Sequence, residues 1–307
     1  MNILVTGGAG FIGSQVADAY IEHDHHVVII DNLSTGQKEF INSKAVFYEA
    51  DITDPSVAEI IKSENIQVIN HHAAQISVRD SVKDPVADAK SNIIGTLQLL
   101  QHTVSSGVGK FIFASTGGAI YGEQDYFPAD EEHPLKPTSP YGLSKLSVEG
   151  YLRFYQEQYG LSTTVLRYGN VFGPRQNPHG EAGVVAIFCN RLLKDQAPVI
   201  NGDGEQTRDY VFVRDVVRAN VMALGPDCSG IFNVGTGREA TVNELARSLL
   251  QRAGSDIAPQ YAPGRGYEQR RSCLDCKKIK DSLAWEPKVS LEEGLVETYK
   301  FFTNNKN

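Results

Sequence analysis

The sequence predicts an α/β protein: a doubly wound parallel sheet with a smaller, interwoven C-terminal α/β lobe. Three observations carry this. Short apolar runs alternate with segments of helical spacing through the first 170 residues, the pattern of repeated βαβ units. Gly8-x-Gly10-x-x-Gly13 stands between the first apolar run and the first helical segment. After Asn170 the rhythm shortens, and turn signals such as Gly173-Pro174 and Gly202-Asp203-Gly204 separate smaller elements.

Taken in order, Ile3-Leu4-Val5 reads as the first strand, and Ile12, Val16, Ala19 and Tyr20 mark a helix. Val27-Val28-Ile29-Ile30 runs unbroken into Asp31, as strands buried on both faces do. Asn32 to Gly36 is a loop, and Val46-Phe47-Tyr48 a third strand running into Asp51. Val57, Ile60 and Ile61 mark a short helix, and Val68-Ile69 a fourth strand. Val86, Ala89, Ile93, Leu97, Leu100 and Val104 recur at threes and fours and predict one longer helix before a fifth strand at Phe111 to Ala114.

A polar, Pro-rich loop from Asp125 to Pro140 follows. Ser139 suits an N-cap and Pro140 a first helical position, so a helix is expected from about Tyr141 to Tyr159. Val148, Leu152, Tyr155 and Tyr159 share one face while Tyr151 and Phe154 point elsewhere, which predicts burial on two sides, one against a partner subunit. Thr163 to Leu166 is the sixth strand, and Ile231 to Val234 is expected to rejoin the sheet. Helices are expected near 242–253, 276–283 and 291–302. The first domain is placed at 1–170, with returning segments near 211–238, and the smaller lobe at 171–307.

The bulk properties narrow the function classes. With 41% hydrophobic and 21% charged residues in 307, the chain has ordinary globular composition. A net charge of -8 argues against a general nucleic-acid surface. No apolar run reaches the ~18 residues of a membrane span, and Gly7 and Gly8 interrupt any secretory-type start. A cytoplasmic protein is expected. Cys273-Leu-Asp-Cys276 has redox or metal spacing, but no second pair or nearby histidine completes a site. The two are read as incidental thiols on a strand, and no metal is expected.

Three constellations carry chemistry. A strand, glycine loop and helix bring backbone close to a diphosphate and aim the helix start at it. Asp31 stands 18 residues after Gly13 at the end of the second strand, where a carboxylate bonds ribose hydroxyls and repels a 2′-phosphate. Together they predict a Rossmann-type site for NAD rather than NADP. Tyr141 and Lys145, four apart, share a helix face. An ammonium and a helix start both favour the phenolate, so this pair can exchange a proton with a substrate hydroxyl. Ser115-Thr116 closes the fifth strand, at the sheet edge where ligands sit, and a hydroxyl there can bond the reacting oxygen.

These residues together resemble the extended short-chain dehydrogenase/reductase family, and within it the nucleotide-sugar epimerases of the UDP-glucose 4-epimerase type. The likeness runs from Met1 to about Leu295. Its motifs are Thr6 to Gly13, Asp31-Asn32-Leu33-Ser34, Asp51-Ile52, His72-Ala73-Ala74-Gln75, Asn92, Ser115-Thr116, Tyr121-Gly122, Tyr141 to Lys145, Arg167-Tyr168-Gly169-Asn170-Val171, Arg208-Asp209-Tyr210 and Leu283-Ala-Trp285-x-Pro287. The resemblance implies a catalytic set of Thr116, Tyr141 and Lys145. It implies an NAD site of Gly7, Gly10, Phe11, Ile12, Gly13, Asp31, Asn32, Ser34, Thr35, Gly36, Asp51, Ile52, Ala73, Ala74, Gln75, Asn92 and Tyr168, completed by Tyr141 and Lys145. Ser115, Thr116, Asn170, Arg208 and Arg265 would hold the sugar nucleotide, with Glu268 near the uridine ribose. A homodimer through the helices near 86–106 and 141–159 is the family expectation.

The implied reaction is epimerisation at C4 of a UDP-hexose. Tyr141 takes the 4-hydroxyl proton as C4 gives hydride to NAD. The 4-keto sugar, held by its nucleotide, turns over and receives hydride on its other face. The anchor keeps a reactive ketone in place. Related dehydratases and UDP-glucuronate decarboxylases carry an acid after the hydroxyl pair, where this chain has Gly117-Gly118. That insertion leaves Ser115 and Thr116 both eligible as the catalytic hydroxyl, and Thr116 is preferred. Ser272 stands where bulkier residues exclude N-acetylated sugars, which extends the expected substrates from UDP-glucose and UDP-galactose to UDP-GlcNAc and UDP-GalNAc. The competing readings are another NAD-dependent nucleotide-sugar enzyme, such as a UDP-glucuronate epimerase, decarboxylase or dehydratase, and a non-catalytic NAD-binding regulator.

Overall fold

The computed structural model describes residues 1–179, 183–226, 228–264 and 269–305. Six strands are met in chain order: β1 (Asn2–Thr6), β2 (His26–Asp31), β3 (Val46–Glu49), β4 (Val68–His71), β5 (Lys110–Thr116) and β6 (Ser162–Tyr168). With Gly230–Val234 they form a seven-stranded sheet in the order Gly230–Val234, β6, β5, β4, β1, β2, β3. β1 pairs in parallel with β2, Leu4 opposite Val28, and with β4, Leu4 opposite Ile69. The pairs β2–β3 and β4–β5 are parallel too. The strand order therefore reverses beside β1. In open α/β sheets ligands sit outside the strands' carboxyl ends at such a reversal.

The connecting helices are α1 (Phe11–Glu22), α2 (Ser56–Ser63), α3 (Val78–Lys83), α4 (Pro85–Ala89), α5 (Gly95–Ser105), α6 (Gly117–Ile120) and α7 (Pro140–Tyr159). Leu4, Val28, Ile30, Ile69, Phe111 and Phe113 of the sheet bury against Leu99 and Leu100 of α5 and Val148 and Leu152 of α7. Each such side chain contributes roughly 1.5–3 kcal/mol through removal from water. α7 begins as expected: Ser139 Oγ accepts from the Gly142 amide at 3.2 Å and Pro140 is its first residue. It ends at Gly160, whose φ of 68° supplies the left-handed turn.

The chain forms two compact units. One comprises Met1–Thr116, Ser139–Arg167 and Val217–Phe232; the other comprises Gly117–Thr138, Tyr168–Val216 and Asn233–Asn307. In the second, Asn170–Phe172 pairs in parallel with Tyr210–Phe212, Thr207–Arg208 antiparallel with Ala240–Thr241, and Val199–Asn201 in parallel with Gln260–Ala262. Its helices Val242–Ala253 and Leu291–Asn304 each open with a full capping box. Trp285, wholly buried, donates its indole N–H to the Asp215 carbonyl at 3.0 Å.

Two local expectations need correction, the helix across 86–104 and the cysteine strand, and other elements carry no expectation at all. The single helix across 86–104 is broken: a π-helical turn, Lys90–Ile94, separates α4 from α5. The extra residue in that turn lets Asn92 point inward while Val86 and Ile94 stay exposed. Directly after β5 the chain forms the one-turn helix α6. Cys273 and Cys276 lie on no strand: Leu274 makes one isolated bridge to Ala129, and Cys276 caps Lys277–Leu283. Helices Val184–Leu193 and Val213–Met222 were not anticipated. The first starts at Gly183 with no side-chain cap to announce it.

Candidate active site

The glycine loop turns sharply off β1. Gly7 has φ 67°, and a Cβ there would lie 2.7 Å from the Ala73 amide nitrogen. A Cβ on Gly13 would lie 2.3 Å from the Gly7 carbonyl oxygen. Only bare backbone fits at both points. Gly10 is the N-cap of α1, with no side-chain cap bond. The first-turn amides of Phe11, Ile12 and Gly13 have no carbonyl within the helix to receive them. They form the donor set an anionic diphosphate needs.

Asp31, 8% exposed, ends β2 with its carboxylate held by backbone: Oδ2 accepts from Ala9 N at 3.0 Å and Oδ1 from Leu33 N at 2.8 Å. Each oxygen keeps a second lone pair for a ribose hydroxyl. A Cβ on Gly36 would lie 2.8 Å from Asp31 Oδ1, so the 32–36 loop closes over this carboxylate. Asn32 accepts from the Ser34 amide and donates to Asp51 Oδ2 at 2.7 Å; Ser34 and Thr35 are exposed. Asp51 also accepts from the Thr53 amide and hydroxyl. Burial opposes ionisation there, but the Thr53 and Asn32 bonds outweigh it and lower the Asp51 carboxyl. Ile52 is buried beside it.

The segment after β4 is tied down residue by residue. The Ala73 amide donates to Thr6 Oγ1 at 3.3 Å, and Ala74 follows, half-buried. Asn92 brackets Gln75, accepting from its amide and donating to its carbonyl, both at 2.9 Å. Asn92 is 3% exposed and acts through Gln75. Its amide also donates to Asp88 Oδ1 at 3.0 Å. Asp88 formed no part of the expected site, and nothing in its spacing separates it from a solvent-facing helical acid.

Lys145, with Tyr141 beside it, reaches the carboxyl end of β5. Lys145 Nζ donates to the Ala114 carbonyl at 2.9 Å and sits 4.7 Å from the Phe113 ring centroid and 6.0 Å from that of Tyr141. Burial pulls the Lys145 ammonium down to about 8, and the charges of Asp88 and Glu149 hold it from falling further. The sequence expectation for Tyr141 is reversed in this structure. Desolvation, followed by the negative charge of Asp88, pushes its phenol up, where Lys145 and the helix start were expected to lower it. The structure also separates the two strand-end hydroxyls. Ser115 Oγ donates to Glu149 Oε1 at 2.5 Å, inside a buried pair in which Arg167 reaches Glu149 Oε2 at 2.6 Å. Thr116, next along the strand, faces the opposite way and stays half-buried.

The remaining expected residues lie in the second unit. Tyr168, at the end of β6, is 4% exposed. Asn170 begins the strand that pairs with Tyr210, so Asn170 and Arg208 stand on adjoining chain segments, and the Asn170 amide donates to the Asp209 carbonyl at 2.7 Å. Asp209 is 1% exposed and accepts from Thr236, Gly237 and Leu274. It fixes the backbone that carries Arg208. Arg265 and Glu268 lie outside the described residues. Among the described residues no cluster of His, Cys, Asp and Glu could hold a metal ion, and no helix is long and apolar enough to cross a membrane.

A glycine-loop dinucleotide cradle with a carboxylate at the end of β2, and a Tyr–Lys pair at the end of β5, define a nicotinamide-dependent enzyme working on a hydroxyl-bearing carbon. The sequence profile of the NAD dependent epimerase/dehydratase family matches residues 3–235, and the chain belongs to that family. A UDP-glucose 4-epimerase from Mycolicibacterium smegmatis is 44% identical over 310 residues, covering 99% of each chain. The solved UDP-glucose 4-epimerase from Thermotoga maritima, with UDP-glucose, is 52% identical with a TM-score of 0.97, covering 100% of both chains. That from Thermus thermophilus, in complex with NAD, is 43% identical with a TM-score of 0.94, covering 99% of this chain and 100% of that one.

Proposed function

We propose that this protein is an NAD-dependent UDP-hexose 4-epimerase interconverting UDP-glucose and UDP-galactose. The observation that carries the reading is Lys145, anchored on the Ala114 carbonyl and set beside Tyr141 at the carboxyl end of β5. Its fit to NAD rests on the glycine positions that a Cβ would fill and on an Asp31 carboxylate with lone pairs to spare. The backbone of Gly10 to Gly13 would hold the diphosphate, Asp31 and the 32–36 loop the adenosine ribose, and the Asp51-Ile52 and Ala73 to Gln75 segments the rest, with Tyr168. Bound there, NAD would supply the acceptor for the C4 hydride and the source of hydride that reduces the 4-keto sugar again. Tyr141 takes and returns the 4-hydroxyl proton, Lys145 carries positive charge beside it, and Thr116 bonds the reacting oxygen. Asn170, Arg208, Arg265 and Glu268 would anchor the nucleotide, the arginines by a planar fork suited to a diphosphate.

Gly117-Gly118 directly after Thr116 opposes a dehydratase, which needs an acid there. The second substrate pair, UDP-GlcNAc and UDP-GalNAc, is favoured by Ser272, a small side chain 2% exposed. Val82, Val86 and Ile94, with Leu143, Tyr151, Phe154 and Tyr159 of α7, are large exposed apolar residues in the first unit. They support a homodimer, which light scattering would register as twice the chain mass. Four unpaired cysteines suit a reducing cytoplasm. A nucleotide-sugar panel with product analysis tests the activity. Wild type is expected to interconvert the UDP-hexoses and Tyr141→Phe to fail; a wild type inert on both UDP-galactose and UDP-GlcNAc overturns the reading.

A further inference from the structure

Among the buried carboxylates of the first unit, Asp88 is the one that the reaction outlined above does not use and that no cation pairs among the described contacts. It is 1% exposed, at the last turn of α4 before the π-helical turn. Three neutral side chains donate to it: Gln75 Nε2 at 2.9 Å, Asn92 Nδ2 at 3.0 Å and Ser144 Oγ at 2.6 Å. Gln75 and Asn92 belong to the proposed NAD segment. Ser144 stands on α7 between Tyr141 and Lys145. One carboxylate thus ties the wall of the cofactor site to the helix of the proton-transfer pair. π-turns recur at functional sites, and here the turn follows α4, which carries Asp88, and itself carries Asn92.

We propose that Asp88 is a positioning residue for proton transfer: it locks Gln75, Asn92 and Ser144 into one unit and keeps a fixed, unneutralised negative charge beside Tyr141 and Lys145. The proposal rests on the 4-epimerase reading. In that cycle the same proton leaves and returns, so both partners must hold it with matched strength. The charged and titratable groups around the pair are few. Asp88 faces it from α4, Glu149 from α7 itself with Arg167 of β6 neutralising it, and His71 and His72 from the end of β4, both kept neutral by burial and by Lys145. Asp88 is the shared negative charge acting on both Tyr141 and Lys145, and it holds each proton more firmly.

The test is the pH profile of kcat/KM for UDP-galactose with the intact NAD-loaded enzyme. Asp88→Asn keeps the shape and removes the charge. Both limbs are expected to move to lower pH, by about one unit for the loss of one nearby charge: Tyr141 loses its proton more easily, and Lys145 does too. Ser144→Ala keeps the charge and removes a donor that screens it, so both limbs are expected to move slightly to higher pH. A lowered rate with limbs in place, in whichever variant folds, reduces Asp88 to a structural brace and overturns the proposal. A wild type with no epimerase activity would instead remove the reading on which it rests.

Discussion

Two carboxylates are buried against the same helix, and they are held in opposite ways. Glu149 of α7 meets a full cation: Arg167 reaches it through Nε and a terminal nitrogen, at 3.1 and 2.6 Å, and Ser115 adds a third bond. Asp88, bonded to Ser144 of the same helix, has only amide and hydroxyl donors. Neutral donors satisfy lone pairs but leave the charge in place, whereas a guanidinium cancels it. The first arrangement fastens α7 to β5 and β6. Glu149 still acts on Lys145, but Asp88 alone of the two acts on both Tyr141 and Lys145.

Breaking the neutralised pair is expected to give the largest effect on the fold. Arg167→Met strands a buried carboxylate and should cost about 3–5 kcal/mol in urea unfolding; a loss below 1 kcal/mol would show that Glu149 is already hydrated. Removing the group on which the other field acts should spare the fold and stop the chemistry. Tyr141→Phe is expected to lower kcat by about 10²- to 10⁴-fold with an unchanged unfolding midpoint.

Far less of this polar interior than of the sheet was legible in the chain. The glycine loop, Asp31 and the Tyr141–Lys145 spacing were readable because each uses a local rule: a turn only glycine makes, a strand-end acid, an i,i+4 face. Asp88 and Asn92 also stand four apart, but the apolar stripe is read from Val86, which is exposed, and Ile93, which is only half-buried, and no local rule announces a π-turn. The Glu149–Arg167 pair has no local signature in the chain, because it joins a helix residue to a strand residue. The raised Tyr141 phenol is hidden from the sequence for the same reason. Lysine spacing is visible in sequence, whereas desolvation and the charge of Asp88 are properties of packing.

Smaller changes sharpen the contrast. Thr116→Val is expected to cost at least about tenfold in kcat, while Ser115→Ala, on the side of the neutralised pair, should cost roughly 1 kcal/mol of stability and little activity. The reverse pattern would make Ser115 the catalytic hydroxyl. His71, 1% exposed, is bonded to Thr6 and Thr96, and burial holds it well below 6.5. A lowered folded-state value means the unfolded chain binds more protons, so this stability is full above pH 6.5 and is lost as pH falls, at up to about 1.4 kcal/mol per pH unit. Urea midpoints at pH 7.5 and 5.5 read this out, and the decline should be shallower in His71→Asn, with the buried His72 keeping the rest.

The central claim, a recycled cofactor serving a reversible proton-transfer pair, meets its most direct test in one cuvette. The purified protein is given UDP-galactose with no nicotinamide nucleotide added, and both products and 340 nm absorbance are followed. UDP-glucose should accumulate to equilibrium over many turnovers without stoichiometric formation of reduced cofactor. Reduced cofactor rising in step with substrate consumption, or no interconversion at all, would contradict the account.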